Sequence, residues 1–134
     1  MSGLAREERE RLAEVFREFP GIEAVYLFGS MVEGRTHAES DLDLAIVSAQ
    51  DVADRKLDLL EALARAGFCQ VDLVFLSEAD LVLQYEAVRQ NCVIYARSDF
   101  DRGELYARIV GRYLDFLPYL EAQRTAYKRR ILDG

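Results

Sequence analysis

The spacing of apolar residues changes several times along this chain, and each change marks a predicted element. Leu4, Leu12, Val15, Phe16 and Phe19 recur at helical spacing between charged positions, which predicts an amphipathic helix over residues 4–19. Pro20-Gly21 ends it. Residues 22–28, rich in β-branched and aromatic side chains, predict a strand that runs straight into Gly29-Ser30. A second strand is predicted over 41–47, a third over 71–76 and a short fourth over 92–96. The pairs Ser30/Glu33, Ser48/Asp51, Ser77/Asp80 and Ser98/Asp101 have capping-box spacing and predict four helix starts. The second of these helices is expected over 51–66, stopping at Gly67, and the third to about residue 90. Pro118 is expected to kink or break the last helix, which resumes over 119–132.

Strands that alternate with helices predict an α/β (α+β) fold, a small mixed sheet flanked by helices. We read the 134 residues as one domain, with a core of about 22–97 and a C-terminal helical extension of about 98–134. A content of 51% apolar and 31% charged residues suits a core that needs no covalent staples. No apolar run approaches the roughly 18–20 residues that cross a bilayer, and the charged N-terminus has no signal-peptide core. We therefore expect a cytoplasmic chain without a membrane partner. The net charge of −7 argues against extended nucleic-acid binding, which depends on Lys and Arg neutralising phosphates. Cys69 and Cys92 lack metal-site spacing and read as buried free thiols. His37 is the single histidine, and a zinc site or a Ser-His triad would need neighbours that this chain barely has.

Candidate chemistry lies where strand rules are broken. Alternation puts Asp41, Asp43, Ala45 and Val47 on one face of the second strand, and Leu42, Leu44 and Ile46 on the other. Asp is a poor strand former, yet Asp72 interrupts the third strand as well. If the two strands pair, three carboxylates share one patch, and a bound cation relieves their repulsion. Hard oxygen ligands suit Mg²⁺ or Mn²⁺. Gly29 lets backbone approach a ligand, and amides at a helix start after Ser30 bind phosphate.

Gly29-Ser30, ten residues, then Asp41-x-Asp43 resembles the signature of the polymerase β-like nucleotidyltransferases, and Asp72 fits their third carboxylate. The resemblance spans about residues 22–76. It implies that fold, ATP as substrate, nucleotide binding by Gly29 and Ser30, and catalytic metal-binding roles for Asp41, Asp43 and Asp72. Relatives often carry basic residues between positions 30 and 34. Here Met31, Val32 and Glu33 stand there, and Arg35 is the candidate nucleotide-binding cation. From the short tail after Arg97 we expect a minimal nucleotidyltransferase without a large acceptor domain. The stretch Tyr113 to Pro118, with the Arg-rich helix after it, is similar to the tail of the MntA antitoxins, partners of HEPN-domain RNase toxins. That likeness implies an Mg-dependent adenylyltransferase that moves AMP from ATP to a toxin tyrosine, with the last helix gripping the toxin. Two other readings compete: an antitoxin that only sequesters its toxin, and a nucleotidyltransferase acting on a small molecule of the antibiotic type.

Overall fold

The structure, a computed structural model, describes residues 4–29 and 42–133. The order of elements is α1 (Arg6–Arg17), β1 (Ile22–Phe28), β2 (Leu42–Ser48), α2 (Gln50–Ala53), α3 (Lys56–Arg65), β3 (Val71–Phe75), α4 (Leu81–Val88), β4 (Val93–Ala96) and α5 (Arg102–Asp133). A 3-10 turn, Leu76–Glu78, links β3 to α4. The strands form one sheet in the order β3-β2-β1-β4. β1 runs antiparallel to both β2 and β4, whereas β2 and β3 are parallel. The expected mixed sheet flanked by helices is therefore present.

Each face of the sheet carries its own apolar layer. On one face, Leu27, Leu44, Ile46, Leu73 and Phe75 pack with Leu12 and Phe16 of α1 and Leu59 and Leu63 of α3. On the other, Ala24, Tyr26 and Ala45 meet Ala87 and Val88 of α4 and Leu105 and Ile109 of α5. Register slips between Ile22 and Ala24, where β1 carries an irregularity. The extra residue changes the phase of the strand, so that Ile22 and Val25 both reach the α1 face while Ala24 and Tyr26 reach the α4 face.

Several local expectations need correction. The helix expected over 51–66 is two, α2 and α3, separated at Asp54-Arg55. Serine is not the cap of the helices that follow. Asp80 accepts a hydrogen bond from the Leu83 amide at 2.9 Å and Asp101 from the Glu104 amide at 3.0 Å, so each helix starts after the acid rather than the serine. Ser48 caps nothing, because α2 starts from Ala49 without a side-chain cap. Ser30 lies outside the described residues. Gly67 does end α3: it takes φ +100°, and the Phe68 amide returns to the Leu63 carbonyl at 2.8 Å.

Pro118 does not end the last helix; α5 continues through it. The carbonyl that loses its partner belongs to Leu114, an exposed residue on the solvent side of the helix, where the loss costs least. Neither thiol is fully buried. Phe68 takes the core position beside Cys69, which is exposed, and Cys92 is half-buried with the Arg9 guanidinium 3.3 Å from its sulfur.

Candidate functional site

Three chain segments converge at one end of the sheet. β1 ends there, and because β2 is antiparallel to it, Phe28 pairs with Asp43 near the start of β2. β3 runs parallel to β2 and pairs Asp72 with Asp43. Cα partners on adjacent strands point their side chains to the same face, about 4.8 Å apart. The two carboxylates are therefore neighbours on the face that carries Tyr26 and Ala45. Asp43 is partly buried and Asp72 exposed, so solvent reaches the pair from the β3 side.

Gly29 closes the third side. It takes φ +80°, a region that disfavours any side chain. A Cβ built on it would stand 3.4 Å from Cγ of Asp43 and closer still to Oδ2. Glycine is thus required twice, once by conformation and once by the carboxylate beside it. A ligand that lies against the backbone at residue 29 also lies against Asp43.

Of the residues expected to form the site, Gly29, Asp43 and Asp72 are brought together. Ser30, Arg35 and Asp41, like His37, lie outside the described residues. Among the described residues no group of three or more His, Cys, Asp or Glu is placed to hold a metal. The described carboxylates are a pair, and their hard oxygens suit Mg²⁺.

Sequence reasoning passed over Tyr26. It sits on the Asp43 face, pairs with Ala45, and has a buried hydroxyl with no hydrogen-bond partner among the described residues. Burial raises its pKa, and Arg102, whose positive charge favours the phenolate, partly offsets this. Its ring meets Phe100 edge-on at 6.4 Å. A tyrosine inside an apolar strand, in phase with the aspartates, was the available signal.

Comparison with known proteins identifies the family and the fold. Residues 10–100 match the family described as polymerase beta, nucleotidyltransferase. The protein adenylyltransferase MntA of Shewanella oneidensis is 34% identical over 109 residues, which cover 80% of this chain and 74% of that one. The crystal structure of a toxin-antitoxin with AMP-PNP superposes with a TM-score of 0.70 at 27% identity, covering 92% of this chain and 98% of that one. A structure of the tri-AMPylated S. oneidensis HEPN toxin in complex with the MNT antitoxin shares the fold, with a TM-score of 0.65 at 24% identity over 95% of this chain and 98% of that one. Both sequence matches and the shared fold agree: the chain belongs to the polymerase beta nucleotidyltransferase family, in its MntA-type branch.

Proposed function

We propose that the protein is an antitoxin of the MntA type, a cytoplasmic protein adenylyltransferase that moves AMP from ATP to a tyrosine of a HEPN-domain toxin. The observation that carries this is the Asp43–Asp72 pair set against Gly29, in a chain 34% identical to a protein adenylyltransferase. In the reaction the tyrosine oxygen bonds to the α-phosphorus of ATP, the bond from that phosphorus to the bridging oxygen breaks, and pyrophosphate leaves. Asp43 and Asp72, with Asp41, would hold Mg²⁺, which supplies charge neutralisation for the triphosphate. Gly29 and Ser30 seat the phosphates, and Arg35 adds a positive charge. Asp72, the more exposed acid, takes the phenolic proton.

Helix α5 is the proposed grip on the toxin. The family match ends at residue 100, just before α5 begins, whereas the toxin-antitoxin structure with AMP-PNP matches 92% of the chain. Most of α5 is therefore shared with chains solved beside a toxin. Beyond Tyr113, which stacks on Tyr85 with ring centroids 3.8 Å apart, its side chains leave the core. Tyr119, Tyr127 and Ile131 are 68%, 62% and 60% exposed. Arg124, Lys128, Arg129 and Arg130 add a positive end with no acid from 122 to 132. Aromatic and Arg residues are enriched at interfaces.

The test is transfer of label from α-labelled ATP, with Mg²⁺, to a HEPN-domain toxin. Wild type labels the toxin and Asp43→Asn does not. Equal labelling by the two would overturn the proposal. Complete rescue of growth by a transfer-dead variant would favour sequestration instead.

A further inference from the structure

A cavity of about 320 Å³ opens on the same face of the sheet as Asp43, at the other end of β2. Val47, on its floor, lies four residues beyond Asp43, about 13 Å along the strand. Leu76, Leu105 and Ile109 complete an apolar base. Arg108 and Arg112 stand on the rim, one turn of α5 apart and so on one side of the helix. Arg108 reaches only Glu104, at 3.8 Å, and Arg112 has no ion pair or hydrogen bond among the described residues. Glu23, the acid on the rim, is already 3.8 Å from Arg97. Gln84 donates its amide nitrogen to the carbonyls of Leu76 at 3.0 Å and Ala79 at 3.1 Å, which leaves its oxygen as an acceptor on this wall.

Two guanidinium groups held a turn apart repel each other, and an anion between them removes that cost. The volume lies at the low end of small-molecule pockets. We propose that this cavity is a second binding site, separate from the adenylylation centre. It takes a small amphipathic anion whose phosphate or carboxylate lies between Arg108 and Arg112 and whose hydrocarbon part rests on Leu105 and Ile109. The oxygen of Gln84 selects a ligand that carries a hydroxyl or amine near its acidic group. An anion held there bridges α5 to the end of β2.

The experiment uses the full chain, with phenyl phosphate and benzoate as probes, followed by backbone amide NMR and calorimetry. Either probe should shift the amides of Val47, Leu105, Ile109 and Arg112. The tighter probe identifies the acidic group as phosphate or carboxylate. Arg112→Ala should weaken binding about tenfold, the worth of one charge-assisted hydrogen bond. Arg108→Lys/Arg112→Lys, which keeps the charge, should recover part of it, and Asp43→Asn should bind as wild type does. Shifts confined to Gly29, Asp43 and Asp72 would place the anion in the adenylylation centre and overturn the proposal. So would unchanged affinity in a folded Arg112→Ala, or no shift with either probe at millimolar concentration. Loss of toxin labelling has no bearing on these readouts, so the two proposals fail separately.

Discussion

On one face of the sheet Leu27, Leu44, Ile46 and Phe75 are sealed beneath α1 and α3. On the other, the same three strands present Tyr26, Asp43 and Asp72, and α4 and α5 cover only part of them. No charged residue among those described is fully buried, so the acids stand at the open end of the second face rather than beneath the helices. Period-two alternation lets one strand serve both faces at once. Leu44 holds the sheet together, and Asp43, its neighbour in the chain, is available for chemistry. The difference teaches that stability and activity are separable here residue by residue.

The largest effect should come from the open face. Asp43→Asn should lower AMP transfer about a thousandfold, roughly 4 kcal/mol of barrier, by removing one of the carboxylates proposed to hold Mg²⁺. Its unfolding midpoint in urea should stay close to wild type. A large loss of stability would mean that Asp43 belongs to the core rather than to the site. Leu44→Ala should do the reverse: Leu44 is fully buried, and a cavity there costs about 2–5 kcal/mol of folding stability. Below its melting temperature the variant should still transfer AMP.

Gly29→Ala tests the boundary between the two. The φ of +80° costs alanine about 1–2 kcal/mol, and the added methyl group presses on Asp43. We expect the KM for ATP to rise more than kcat falls, together with a modest loss of stability. Tyr26→Phe should have the smallest effect. Its hydroxyl is buried without a described partner, so removal should leave stability unchanged or raise it by up to about 1 kcal/mol. The pH dependence follows in sign. Burial raises the folded-state pKa of Tyr26 above its ordinary value of 10.0. Above that pH the unfolded chain loses the phenolic proton first, so stability falls as pH rises until the folded-state pKa is passed. Denaturant titrations on the alkaline side should show this slope in wild type and a shallower one in Tyr26→Phe.

Much of this arrangement was legible because it follows local periodicity. β1 spans Ile22–Phe28, the residues its composition predicts; β2 ends one residue later and β3 one residue earlier than expected. Alternation put Asp43 on the face opposite Leu44, and parallel pairing with β3 brought Asp72 to it. What escaped depended on tertiary context. Nothing in residues 51–66 marks the break at Asp54-Arg55, because Val52, Leu59 and Leu63 keep helical spacing across it. Pro118 reads as a breaker, but its cost depends on whether the freed carbonyl meets water, and solvent around Leu114 decides that. The close approach of Gly29 to Asp43 arises from pairing across strands and has no signature in either segment alone.

The parallel pairing of β2 with β3 has a consequence for the order of events in synthesis. Asp43 lies on a strand that can pair with β1 as soon as the loop between them closes. Asp72 reaches its place only after α2 and α3 have carried the chain back across the sheet. Until that crossover folds, the emerging chain offers Asp43 without Asp72 beside it. The proposed transfer is therefore withheld from incomplete chains: residue 72 must have left the ribosome and the crossover must be packed before Asp72 stands beside Asp43.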